Sequence, residues 1–195
     1  MIDIFGQGLR NAPSLNLSDG KVWLRPPLLE DWKEWAELRT QSRDFLQPWE
    51  PAWPPDSLTK PSWQRRVKRQ YDEWQHDTGY ALLIFSLPNQ ELVGGISLTQ
   101  VRRGIAQTAT LGYWIGEPHT RKGYMNSAIS LLTRHAFESL SLHHIEAGCV
   151  PTNEPSINLL RKTGFTEEGR ARQYLRINGK WEDHILFAML REDQA

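Results

Sequence analysis

The sequence predicts an α/β fold: one mixed, largely antiparallel central sheet with helices on both faces. Three observations lead there. Two segments of helical spacing come early, Trp32 with Trp35, Ala36 and Leu38, then Trp63 with Val67, Tyr71 and Trp74. Three strand-like runs follow in direct succession over 80–87, 91–99 and 108–115, and connections that short favour antiparallel neighbours. A strand–helix–strand passage and an Asn178-Gly179 hairpin signal complete the chain.

In order, residues 1–20 carry Gly, Asn, Pro and Ser without a sustained period and read as an irregular arm ahead of a single domain at 21–192. The run 21–25 alternates as a first strand, and Pro26-Pro27 stops it before the first helix over 28–38. Segment 45–61 holds five prolines and two tryptophans. Proline lacks the N–H donor and fixes φ, so an ordered loop lying on the body is expected there. Its Trp49 and Trp53 either pack a core or line a ligand groove. The second helix, over 62–76, carries Arg65, Arg66, Lys68 and Arg69 on its other faces. Those four read as a solvated face, with contact to an acidic partner or RNA as the alternative. After the three strands, Tyr124, Ala128, Leu131, Leu132, Ala136 and Leu140 keep helical spacing. A strand over 144–150 is then expected, parallel to its predecessor through that helical crossover. In the helix over 151–162, Asn153 suits the N-cap, Pro155 the first turn and Gly164 the C′ position. Strands over 174–177 and 181–190 flank the tight turn.

Composition narrows the function. The chain has 195 residues, enough to bury a core without a disulfide or structural metal. Lys plus Arg and Asp plus Glu each total 23, so no basic excess suggests direct nucleic-acid binding. The single cysteine, Cys149, excludes an intrachain disulfide and reads as a small buried core residue. The six histidines show no ligand spacing, and no metal is expected. No leader pattern or membrane-spanning apolar window stands out, so a soluble, cytoplasmic protein is expected, monomeric or homodimeric.

The stretch 111–140 carries the first functional signal. A strand ending in Tyr113-Trp114-Ile115 feeds a helix through a basic, glycine-containing turn. Such a joint offers free backbone N–H groups and a positive dipole end to a phosphate or pyrophosphate. Glu117 in the turn is either a general base or an exposed loop carboxylate. Ser156 either caps its helix or donates a proton to developing negative charge. Tyr174 either lines an acceptor groove, donates a proton or packs in the sheet.

From about residue 22 to residue 190 this order resembles the GNAT acyltransferase fold. The segments LGYWIGEPHTRKGYMNSAISLLTRHAFE and VPTNEPSINLLRKTGFTEEGRARQYLRINGKWEDHILFAML are similar to the RimJ- and RimL-like enzymes that acetylate the α-amino termini of ribosomal proteins, most of all to the alanine-specific group. The resemblance implies acetyl-CoA as donor and direct transfer without a covalent intermediate. It lays the family's pyrophosphate loop over Thr120, Arg121, Lys122, Gly123, Tyr124 and Met125, with the amides from Arg121 through Asn126 facing the pyrophosphate. Thr120 and Met125 depart from the usual glutamine or arginine and small residue. Asn153 and Ser156 match the asparagine that contacts the cofactor arm and the serine near its sulfur. A backbone amide near Trp114 or Ile115 is the expected oxyanion donor. Leu175 stands where the RimL type has a glutamate, which leaves the base unassigned. The acceptor is expected to be the α-amino group of an N-terminal alanine on a ribosomal or other protein. The alternatives are a small amine such as an antibiotic or polyamine, or a GNAT-fold binding module without turnover.

Overall fold

One eight-stranded sheet organises the chain, and the computed structural model describes residues 13–193 of it. Its strands are β1 (Leu17–Ser18), β2 (Val22–Arg25), β3 (Tyr80–Ser86), β4 (Leu92–Arg102), β5 (Thr108–Ile115), β6 (His144–Cys149), β7 (Thr166–Ile177) and β8 (Lys180–Leu190). Across the sheet they run β1-β2-β3-β4-β5-β6-β8-β7, and every neighbouring pair is antiparallel except β5 and β6. The helices are α1 (Trp32–Gln41), α2 (Arg43–Leu46), α3 (Lys60–Gln75), α4 (Tyr124–Glu138) and α5 (Glu154–Lys162).

Alternation along the strands sorts the core into two layers. On β3, Leu82 and Ile84 join a cluster with Ala128, Ile129 and Leu132 of α4 and Ile157 and Leu160 of α5. Leu83 and Phe85 face the other way, onto Trp35 and Leu38 of α1 and Trp63, Val67 and Tyr71 of α3. A period of two in the strand against helical spacing in its partners gives this division directly. Three tryptophan-ring or phenol donors lock the second layer: Trp63 Nε1 to Leu28 O at 3.1 Å, Trp32 Nε1 to Leu58 O at 3.0 Å and Tyr71 Oη to Pro27 O at 2.8 Å.

The mixed sheet with helices on both faces is as the sequence predicts, including the parallel β5–β6 step through α4. Asn178 and Gly179 turn β7 into β8 with φ of 43° and 85°, the left-handed pair that such a two-residue hairpin requires. Three expectations need correction. The proline-rich segment begins with regular structure, the single turn α2 and a 3-10 turn at Gln47–Trp49. α3 starts at Lys60, because Pro61 falls in the first turn, where its missing N–H has no intrahelical partner to lose. β7 begins at Thr166 rather than near 174, with a register shift between Glu167 and Gly169. An edge strand with both faces largely wet has no apolar alternation to announce it. Of the expected N-terminal arm, residues 1–12 lie outside the described residues; Leu17 and Ser18 pair with Leu24 and Trp23. Among the described residues no helix is long and apolar enough to cross a membrane.

Candidate active site

The parallel pairing that makes the sheet mixed also opens it. β5 and β6 pair only at Thr108–His144, Ala109–Ile145 and Thr110–Glu146. Beyond that point β5 stays with β4 as far as the Ile115–Gly94 pair, while β6 stays with β8 as far as Cys149–Ile185. The two strands therefore part company over residues 111–115 and 147–149. Both α4 and α5 begin just past this splayed end.

The turn into α4 is shaped for an anion. Gly123, its N-cap, has φ 80° and ψ 4°, and no side chain caps the helix. Arg121 is also left-handed, at φ 60°. The amides that open a fifteen-residue helix are thus directed outward from a positive dipole end. Lys21, which sequence reasoning missed, adds charge: a Cβ built on Gly123 would lie 2.8 Å from its Nζ. Asp19 holds this corner in place, accepting from the N–H groups of Lys21 at 3.0 Å and Val22 at 3.1 Å, with the Ser127 side chain close by. Burial works against the Asp19 carboxylate, yet these donors together keep its pKa below the usual value. Met125 and Thr120, the two departures from the loop pattern, have structural explanations. Met125 is buried in the core beneath the turn, and Thr120 Oγ1 donates to Glu117 O at 3.0 Å.

Asn153 is the N-cap of α5, its side chain accepting from Ser156 N–H at 3.2 Å. The cap uses the backbone of Ser156 and leaves its hydroxyl for another partner. That partner is Tyr113, whose Oη lies 2.7 Å from Ser156 Oγ. The Cys149 thiol lies beside the same serine. Burial pushes the Tyr113 phenol up to about 12, with the Ser156 bond opposing, and burial likewise raises the Cys149 thiol. Three protonated groups from β5, β6 and α5 thus meet at the splayed end. Tyr113 carried no sequence signal beyond its place in an aromatic run, since only the packing of α5 against β5 brings it to Ser156.

The other face of the same strand end is aromatic and cationic. A cavity of about 230 Å³ runs between α3 and the strands, lined by Trp35, Trp63, Arg66, Gln70, Gly112 and Trp114 among others. A second, of about 190 Å³, is lined by Trp35, Arg39, Glu50, Trp53 and Arg66. Arg39 is held by both oxygens of Glu50, at 2.8 and 2.5 Å, and lies over the rings of Trp53 at 4.2 Å and Trp114 at 4.8 Å. Trp53 Nε1 donates to Glu50 at 2.8 Å, and Asn178 N–H at the β7–β8 turn donates to Glu50 O at 2.8 Å. Glu50 is thereby the post on which the proline-rich segment, α1 and the hairpin meet. Trp53 lines a groove, one of the two alternatives its sequence context left open; Gly95 makes room for Trp114, since a Cβ there would collide with the indole.

Two candidates stand apart. Glu117 is exposed, with its backbone N–H bonded to Ser42 Oγ at 2.9 Å, and no bond among the described residues joins its carboxylate to Ser156 or Tyr113. Tyr174 is 48% exposed on β7 and edge-on to His184, with ring centroids 5.6 Å apart.

Residues 21–166 match the family model described as an acetyltransferase (GNAT) domain. The chain belongs to the GNAT acetyltransferases. It is 37% identical over 172 residues to the probable N-acetyltransferase YjcK of Bacillus subtilis (strain 168), covering 88% of this chain and 95% of that one. It is 31% identical over 185 residues to the [ribosomal protein uS5]-alanine N-acetyltransferase of Escherichia coli (strain K12), covering 94% of each. Among solved structures, Mycobacterium smegmatis RimJ in complex with CoA-disulfide superposes with a TM-score of 0.86 at 31% identity, covering 92% of this chain and 88% of that one. As a GNAT enzyme, the protein transfers an acetyl group from acetyl-CoA to an amine. Its residues fit that donor: an uncapped helix end with Lys21 beside it suits a pyrophosphate, and the parted strands leave β5 with an unpaired edge.

Proposed function

We propose that this GNAT acetyltransferase modifies the α-amino group of protein N-termini, with an N-terminal alanine as the leading acceptor. The observation that carries this is the character of the two cavities that share Trp35 and Arg66. They carry Arg39 and Arg66 against one carboxylate, Glu50, already bonded to Arg39. A polyamine or a polycationic antibiotic needs an acidic pocket, and this one is aromatic and cationic. The E. coli relative that acts on an alanine of uS5 supports the same acceptor class.

Acetyl-CoA supplies the activated acetyl group as a thioester. Arg121, Lys122, Gly123, Tyr124, Met125 and Asn126 present their amides to its pyrophosphate, Lys21 adds a charge, and Asn153 lies beside the arm that reaches the splayed end. Backbone N–H groups at Trp114 or Ile115 polarise the acetyl carbonyl. Ser156 presents its O–H to the departing sulfur, with Tyr113 behind it as a second neutral donor. The acceptor must arrive as a free amine. An α-amino group has a pKa near 8, and nearby guanidinium charge lowers it further, so the site favours the neutral form without a dedicated base. Incubation of N-terminal peptides, internal-lysine peptides and small amines with acetyl-CoA, followed by mass-spectrometric location of the acetyl group, tests this. The α-amine of alanine peptides is the expected site; modification of lysine side chains or small amines in its place overturns the proposal.

A further inference from the structure

We propose that Arg66 and Gln70 form a subsite for a carboxylate-bearing acceptor, so that the enzyme selects N-termini with an acidic residue close behind the reacting amine. This rests on the peptide-acceptor function proposed above and names a chemical preference within it.

The four cations at 65–69 of α3 have different fates. Arg65 pairs with Asp56 at 2.6 Å and Arg69 with Glu73 at 3.3 Å, while Lys68 is exposed. Arg66 instead turns into the concave face, where it lines both cavities and forms their shared wall with Trp35. Its guanidinium carbon lies 5.3 Å from the Trp35 ring centroid, within reach of a cation–π contact. No carboxylate among the described residues pairs with it. Glu50, the one acid in the lining, is taken up by Arg39 and Trp53.

One helical turn further on, Gln70 lines the first cavity, and its Oε1 is buried without a hydrogen-bond partner. A buried carbonyl oxygen of this kind costs free energy until something donates to it. A bound peptide supplies an acidic side chain for Arg66, and a turn of the Gln70 amide toward the cavity lets its oxygen take a backbone N–H. The electrostatics agree. Desolvation, then Arg39 and Arg69, lower the Arg66 pKa, and Glu50 opposes them only in part, so a bound anion adds compensation. Arg66 is exposed and lines both cavities. The carboxylate is either the side chain of an early acidic residue or the terminal carboxylate of a very short peptide, and the two call for different probes.

The test uses C-terminally amidated hexapeptides beginning with alanine, with Glu, Gln or Lys at positions two to four, beside free-acid and amidated dipeptides. Acetyl transfer is read as kcat/KM. The Glu hexapeptides are expected to exceed their Gln counterparts by about tenfold, and the Lys series to fall below both. Preference confined to the free-acid dipeptides assigns the carboxylate to a chain terminus and overturns the acidic-residue assignment. Arg66→Gln should collapse the Glu-to-Gln ratio towards one, Arg66→Lys should restore part of it, and Arg66→Glu should turn the ranking towards Lys. Equal rates for Glu and Gln hexapeptides in the unmodified enzyme overturn the subsite alone, as does a ratio that persists in Arg66→Gln. Acetylation of none of the peptides overturns the function on which it rests.

Discussion

The two faces of the β5 end are built from different kinds of material. On the donor face, the α4 turn, the Asn153 cap and Ser156 sit within two short stretches, and each gets its form from local rules: a left-handed glycine, an uncapped helix start, a side-chain cap. On the proposed acceptor face, Trp35 and Arg39 come from α1, Glu50 and Trp53 from the proline-rich segment, Arg66 and Gln70 from α3 and Trp114 from β5. No local rule connects them. Chemistry common to a family can be stored in contiguous motifs, whereas selection of one acceptor is assembled from side chains far apart in sequence.

If that division is right, single changes should separate donor from acceptor kinetics. The largest effect is expected from Ser156→Ala, which should lower kcat by about a hundredfold. Its melting temperature should fall little, because the Asn153 cap uses the backbone N–H that alanine keeps; activity equal to the unmodified enzyme at equal folded concentration would end the proton-donor role. Next comes Gly123→Val. A β-branched residue at φ 80°, crowding Lys21, should weaken CoA binding by about tenfold, checked by calorimetry, with the acceptor KM little changed.

On the opposite face, Glu50→Gln should raise the acceptor KM by about threefold while the acetyl-CoA KM holds, because Arg39 loses its charge partner but keeps its stacking on Trp53 and Trp114. A parallel rise in both KM values would erase the division. The smallest expected change is an absence of one. The rate should climb as the acceptor amine loses its proton and then stay level to about pH 10. Tyr113, pushed up to about 12, stays protonated as pH rises through that range, and Cys149, raised above its ordinary thiol value, loses its proton later than a free thiol would. A fall in rate between pH 8 and 10 that Tyr113→Phe removes would show the phenol titrating lower.

The α3 run shows how far the sequence could be followed. Arg65, Arg66, Lys68 and Arg69 read alike as a solvated face, and all four are exposed. Arg66 also meets Trp35, from another helix, and lines the cavities; helical periodicity carries no term for that neighbour. Tyr113 was passed over for the same reason: strand alternation gives its face, while only the docking of α5 gives its partner. β7 escaped in part because an exposed edge strand has little apolar pattern to display.

What the sequence determined by itself was the order and type of most elements, the mixed sheet, the anion-ready turn at Gly123 and the cap at Asn153. Each follows from interactions within a few residues of one another, or from a buried face whose period is written along the chain. The tertiary structure decided the Ser156–Tyr113–Cys149 contact, the place of Lys21 and the tryptophan–arginine cavities. These depend on where separate elements come to rest, which is set by packing across the whole sheet and has no local pattern to reveal it.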